Sequence, residues 1–133
     1  MITIMSKRSD YMGRKMEVVI VDDESMITDL IKSYVQFASE NTEIHCFNDS
    51  VKAQEFLRNK DIDILITDYK MPGVSGMELL REAGSDTRKI MISGYISEIA
   101  EEKLNSINAL CLEKPVSMKD LSGVIREKEK QLI

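Results

Sequence analysis

Five short apolar runs, spaced by stretches of helical period, constrain this chain more than any other feature. They are EVVIV (17–21), EIHCF (43–47), IDILIT (62–67), KIMIS (89–93) and ALCL (109–112). Three are nearly continuous Val, Ile, Leu or Met, the pattern of strands covered on both faces in a parallel sheet. Between the runs the period changes to that of a helix. Ile27, Leu30, Ile31, Tyr34 and Ala38 fall on one apolar stripe. Residues 49–60 open on the capping type Asp49 and turn Val51, Phe56 and Leu57 toward a core. Residues 75–84 predict a third helix closing at Gly84, and 97–106 a shorter, more polar fourth. Residues 117–133 predict a fifth, with Ser117 and Asp120 as a capping-box-like pair and Leu121, Val124 and Ile125 facing inward. Strand and helix alternating five times predict an α/β fold, a doubly wound parallel sheet with helices on both faces and right-handed crossovers.

A chain of 133 residues suits one such domain. Residues 17–133 hold the whole alternating pattern, and no internal repeat or low-complexity tract interrupts it. Residues 1–16 contain Met1, Met5, Met12 and Met16 with mixed charge and no period, and are expected to be a loosely ordered extension. No apolar run approaches the roughly 18 residues of a membrane span. The basic residues near the N-terminus precede no apolar block, so a secretory signal is not expected and a cytoplasmic location is. Residues 1–16 carry a net +3, which leaves −8 on the rest for the total of −5. A body this acidic is a poor match to nucleic-acid phosphates. The two cysteines, Cys46 and Cys111, have no metal-ligand spacing, and His45 has no ligand set beside it in the sequence. Zinc chemistry and a Cys–His or Ser–His pair are therefore not expected.

The informative residues end the strands. In VVIVDDES the first run passes at once into Asp22, Asp23 and Glu24. The third ends at Asp68, the fourth at Ser93, and the fifth is followed by Lys114 and Pro115. Ligands of open parallel sheets bind beyond the carboxyl ends of the strands. Three carboxylates, a hydroxyl and an ammonium would converge there. Carboxylates so close repel, and a divalent cation such as Mg²⁺ (or Mn²⁺) relieves the repulsion. Asp68 stands alone on the middle strand and is the candidate nucleophile, since carboxylates form acyl phosphates. Ser93 and Lys114 would supply a hydrogen bond and a positive charge.

Asp22-Asp23, Asp68, Ser93 and Lys114-Pro115, in this order on a (βα)₅ pattern, resemble the receiver domain of two-component response regulators. DYKMPGVSG (68–76) is similar to that family's D-x-x-M-P-x-x-x-G segment. The resemblance covers about residues 17–130. It implies the flavodoxin-like strand order 2-1-3-4-5. It implies that Asp68 accepts a phosphoryl group from a sensor histidine kinase or histidine phosphotransfer protein. Asp23, Asp68 and the backbone carbonyl of Lys70 would ligate Mg²⁺, with Asp22 acting mainly through water. Ser93 would bind a phosphoryl oxygen. Lys114 would pair with the phosphoryl group, or with the carboxylate before it arrives. The Lys114–Pro115 bond would be cis. Output would come through a downstream target protein, with no direct nucleic-acid contact and no membrane span.

The sequence departs from the family at Cys111, where an aromatic switch residue is usual. Tyr95 is a candidate substitute, and a surface tyrosine at the site mouth is the favoured reading of it. Lys70 and Tyr95 flank the expected phosphoryl position and are expected to modulate the lifetime of the acyl phosphate. The span from Gly76 to Ser93 is shorter than usual, so the third helix or its exit is expected to be trimmed. Cys46 and Cys111 would lie on opposite edges of a 2-1-3-4-5 sheet, roughly 19 Å apart at about 4.8 Å per strand. That excludes a disulfide and leaves two buried small apolar residues. Two rival readings are an aspartyl-phosphate Mg²⁺-dependent phosphatase and a receiver-like interaction module that is not phosphorylated. The first usually has an acid two residues after the nucleophile, where this chain has Lys70.

Overall fold

The first strand, β1 (Met16–Val21), is one of the inner strands of the sheet. A computed structural model of the chain describes residues 15–94 and 99–132. The elements follow as α1 (Ser25–Ala38), β2 (Thr42–Phe47), α2 (Ser50–Arg58), β3 (Ile64–Asp68) and α3 (Gly76–Glu82), then β4 (Arg88–Ser93), α4 (Glu101–Ser106), β5 (Ala109–Glu113) and α5 (Met118–Leu132). The five strands form one parallel sheet in the order β2-β1-β3-β4-β5. This is the flavodoxin-like order expected of the sequence.

Alternation along each strand divides the core. Val18 and Ile20 on β1, Ile64 and Ile66 on β3, and Ile90 and Ile92 on β4 point to one face. There they meet Ile31, Val35 and Ala38 of α1 and Leu121 and Ile125 of α5. Val19, Val21, Leu65 and Met91 point to the other face, against Ala53 and Leu57 of α2, Leu79 and Leu80 of α3, and Leu104 of α4. Both faces of the central strands are covered, which explains their continuous apolar runs. Each large aliphatic side chain buried this way contributes about 1.5–3 kcal/mol.

Several local expectations shift. Met16 begins β1 and is fully buried, one residue ahead of the expected start; residues 1–14 of the extension lie outside the described residues. Leu30 is exposed, and Thr28 and Val35 join the buried face of α1 in its place. Val51 is exposed too, while Ser50 and Ala53 on the same turn are buried. The third helix closes at Ala83 in extended backbone, without using Gly84. Asp49 caps α2 through the Val51 and Lys52 N–H groups, and Ser75 and Glu78 form a full capping box on α3. Cys46 is exposed rather than buried, since β2 is an edge strand only partly covered by helix. Cys111 lies on the opposite edge, and both cysteines are free. Among the described residues no helix is long and apolar enough to cross a membrane.

Candidate functional site

Register brings the acids together. Val21 pairs with Thr67, so the residues that follow them, Asp22 and Asp68, leave two adjacent strands side by side. Asp68 pairs with Ile92 and Ser93 with Glu113, so Ser93 and Lys114 arrive at the same edge from β4 and β5. The Lys114 N–H donates to the Ser93 carbonyl at 2.9 Å, and the Lys114–Pro115 bond is cis.

The ammonium of Lys114 bridges two carboxylates. Its Nζ lies 3.2 Å from Asp68 Oδ1 and 3.4 Å from Asp22 Oδ2. Asp22 is only 1% exposed, and its Oδ1 accepts the Glu24 N–H at 2.9 Å. Burial pushes the Asp22 carboxyl above its usual pKa and repulsion from Asp68 adds to this; the Glu24 N–H and the Lys114 charge pull the other way and do not cancel it. Burial alone would lower the Lys114 pKa. The carboxylates of Asp68 and Asp22 outweigh that, so it lies above its ordinary value. The Asp68 Oδ1 also accepts the Tyr69 N–H at 2.9 Å.

Asp23 is exposed at the mouth, and one carboxylate oxygen each from Asp22, Asp23 and Asp68 lie within 4.8 Å of one another. This donor set fits a hard divalent cation. Around Mg²⁺, with oxygens at about 2.1 Å, neighbouring ligands stand about 3 Å apart and opposite ones about 4.2 Å. An open cleft of about 460 Å³ beside them is lined by Asp23, Glu24, Asp68, Lys70, Ser93, Gly94 and Lys114. Lys70 is thus at the cleft wall, whereas Tyr95 lies outside the described residues. Cys111 is half-buried on β5 against the helix face formed by α2, α3 and α4. Burial raises its thiol pKa and nearby Glu113 raises it further, which keeps it a neutral, small apolar side chain at neutral pH.

Three further residues support the site, of which the sequence marked only Gly76, the last glycine of DYKMPGVSG. An ideal Cβ on Gly76 would lie 2.0 Å from the Asp68 backbone carbonyl oxygen, so only glycine lets α3 start against the end of β3. That explains physically why a glycine stands eight residues after Asp68. Asn48 donates to the Asp22 carbonyl at 2.8 Å and to Thr28 Oγ1 at 3.1 Å. Ser50, 4% exposed, donates to the Pro72 carbonyl at 2.7 Å and accepts the Val74 N–H at 2.8 Å. Neither polar residue carries a signal in the sequence beyond its place at the start of a helix.

A parallel sheet of order 2-1-3-4-5 with acids, a hydroxyl and a lysine at its carboxyl edge defines a class of signalling domain. Residues 18–126 match the family model of the response regulator receiver domain, and the chain belongs to that family. Among curated proteins it is similar to the chemotaxis protein CheY-3 of Vibrio cholerae serotype O1, 29% identical over 75 residues. That match covers 56% of this chain and 57% of the relative; the chain thus spans a little over half the length of the curated relatives it matches. Among solved structures it is similar to a CheY-like receiver domain protein from Methanospirillum hungatei, with TM-score 0.71 and 26% identity over 88% of this chain and 98% of that one. A receiver domain protein from Clostridium thermocellum matches at TM-score 0.70 and 28% identity, covering 89% and 99%. Receiver domains are signalling domains of two-component systems.

Proposed function

We propose that this chain is a cytoplasmic, Mg²⁺-dependent phosphoacceptor in which Asp68 takes a phosphoryl group from a phosphohistidine. The observation that carries the reading is the meeting of three carboxylate oxygens within 4.8 Å beside an ammonium 3.2 Å from Asp68. A carboxylate oxygen of Asp68 attacks phosphorus, the phosphorus–nitrogen bond to the donor imidazole breaks, and an acyl phosphate forms. The imidazole keeps the electron pair and is reprotonated. Bound Mg²⁺ supplies positive charge against the incoming phosphoryl oxygens. Asp22, Asp23, Asp68 and the Lys70 carbonyl are the groups that would hold it. Lys114 lies within reach to pair with the new dianion, and Ser93 stands at the same edge to donate to a phosphoryl oxygen. Lys70 at the cleft wall, together with Tyr95, is assigned control of water access and so of the acyl phosphate lifetime.

The donor in this reading is a sensor histidine kinase or histidine phosphotransfer protein. Phosphorylation shifts a two-state equilibrium that a downstream protein reads. The domain itself turns over no external substrate. With Cys111 where the family's aromatic switch is usual, the shift must be transmitted through other side chains.

Intact-mass measurement after incubation with acetyl phosphate and Mg²⁺ tests this. A gain of about 80 Da, absent without Mg²⁺ and absent in Asp68→Asn, is expected. The decay of that adduct with time reads its lifetime, which Lys70→Ala should change. No adduct overturns the reading in favour of an interaction module. Continuous phosphate release from many phosphoesters overturns it in favour of a phosphatase.

A further inference from the structure

The acids of the site sit on two turns that are far apart in the chain. One is the turn after β1, with Asp22 and Asp23; the other is the end of β3, with Asp68, and the loop that follows it to Val74. Backbone pairing between β1 and β3 ends at Val21 and Thr67, before either acid. Beyond that point the β1–β3 ladder no longer sets the spacing of the carboxylates, and Asp68 is paired only with Ile92 of β4.

The connection from β2 to α2 reaches both turns. The Asp22 N–H donates to the Phe47 carbonyl at 3.1 Å. One residue on, Asn48 donates to the Asp22 carbonyl at 2.8 Å, so Phe47 and Asn48 hold both backbone polar groups of Asp22. The same Asn48 amide donates to Thr28 Oγ1, which ties the turn to the first part of α1. Two residues further, the buried hydroxyl of Ser50 holds the other loop, through the Pro72 carbonyl and the Val74 N–H. Gly73 between them has φ +88, and a Cβ there would approach Ser50 Oγ to 2.9 Å. The loop therefore closes on the Ser50 hydroxyl with no room to spare.

We infer that Asn48 and Ser50 are positioning residues: a three-residue clasp, Asn48–Ser50, fixes the distance between the two acid-bearing turns and so sets the affinity of the site for Mg²⁺. Neither side chain is among the metal donors. The inference rests on the metal reading above. Asp68 ends β3 and is paired with Ile92 of β4, but the residues after it and the turn after β1 are loops, which hold a geometry only as well as their hydrogen bonds do. Removing the Ser50 hydroxyl leaves a carbonyl and an N–H of the Asp68 loop without their partner. Removing the Asn48 amide frees the Asp22 carbonyl.

Mg²⁺ titration by calorimetry of the unphosphorylated chain, alongside thermal unfolding in EDTA, tests it. Ser50→Ala and Asn48→Ala should each weaken Mg²⁺ binding about tenfold, with Ser50→Thr returning to within about twofold of the parent. A core variant such as Ile125→Val should lower the melting temperature and leave Mg²⁺ affinity unchanged. If Ser50→Ala and Asn48→Ala lower the melting temperature but bind Mg²⁺ as the parent does, the two residues are only structural and the inference fails alone. If the parent chain binds no Mg²⁺, the metal reading fails and the inference falls with it.

Discussion

The two ends of the sheet make an instructive pair. Each opens on a cleft of about 460 Å³, and each gathers acids and lysines. At the amino end the polar groups are balanced locally. Glu17 shares a 2.7 Å hydrogen bond with His45 and lies 3.5 Å from Lys60. The Asp63 carboxylate accepts the Glu17 N–H at 2.7 Å, and Thr87 donates to the Ile62 carbonyl at 2.8 Å. Lys128 donates to the Asp86 carbonyl at 2.6 Å. The contacts of Glu17 tie β1 to β2 and to the residue just before β3. At the carboxyl end Asp22 and Asp68 share Lys114, Asp23 brings a third carboxylate oxygen within 4.8 Å of theirs, and the most buried of the three has its pKa raised. Acids near a cleft are therefore not the mark of a site. An excess of like charge, held together by the fold and not neutralised by it, is.

The largest test of this contrast uses two glycines. Gly76→Ala at the carboxyl end drives a Cβ to 2.0 Å from a backbone oxygen, whereas Gly84→Ala at the amino end meets only Thr87 Oγ1 at 3.9 Å. Gly76→Ala should cost about 3 kcal/mol and lower the melting temperature by about 10 °C. Gly84→Ala should stay within about 0.5 kcal/mol. Equal melting temperatures in a thermal scan would break the comparison.

A second test separates stability from binding. Asp22→Asn keeps the acceptor for the Glu24 N–H and removes a buried charge. In EDTA at neutral pH the variant should be more stable than the parent by about 1 kcal/mol, since ionising a buried carboxyl opposes folding. The sign follows from the raised folded pKa: the penalty is present at neutral pH. It is relieved as the carboxyl protonates on the way down toward its ordinary value of 3.8. The advantage of Asp22→Asn should therefore shrink as pH falls. Mg²⁺ affinity should fall in the same variant, while Asp63→Asn at the amino end leaves it unchanged. An Asp22→Asn chain that is less stable at neutral pH and no less stable at acid pH would refute the account of the buried charge.

The smallest effect is expected at Lys60. It is 40% exposed and shares Glu17 with His45. Lys60→Ala should change stability by less than about 0.5 kcal/mol in urea titration. A larger loss would mean that the amino end depends on its lysine as the carboxyl end does.

Much of this molecule was legible in its sequence, for reasons that are local. Apolar runs of period two or none, against stretches of period 3.6, identify strands and helices without knowledge of their neighbours. The places where strands run out into Asp22, Asp68, Ser93 and Lys114 follow from the same boundaries. Errors arose where exposure depends on what lies above a residue. Leu30 and Val51 were placed on a core-facing side of their helices yet are exposed, and Cys46 sits on an edge that no helix fully covers. Asn48 and Ser50 gave no signal, because a polar residue at the start of a helix looks the same whether it faces water or holds a distant loop.

Sequence alone thus determined the alternation of elements and the kinds of side chain at the strand ends, since both are properties of neighbouring residues. Only the tertiary structure decided that Asp22 and Asp68 share one lysine. That contact needs β1 and β3 to be neighbours, and a crossover through α1, β2 and α2 makes them so. Only the tertiary structure decided, too, that Gly76 must lack a side chain and that the Asp22 carboxyl is hard to ionise. Close approach and burial are sums over groups far apart in the chain, and no stretch of residues contains them.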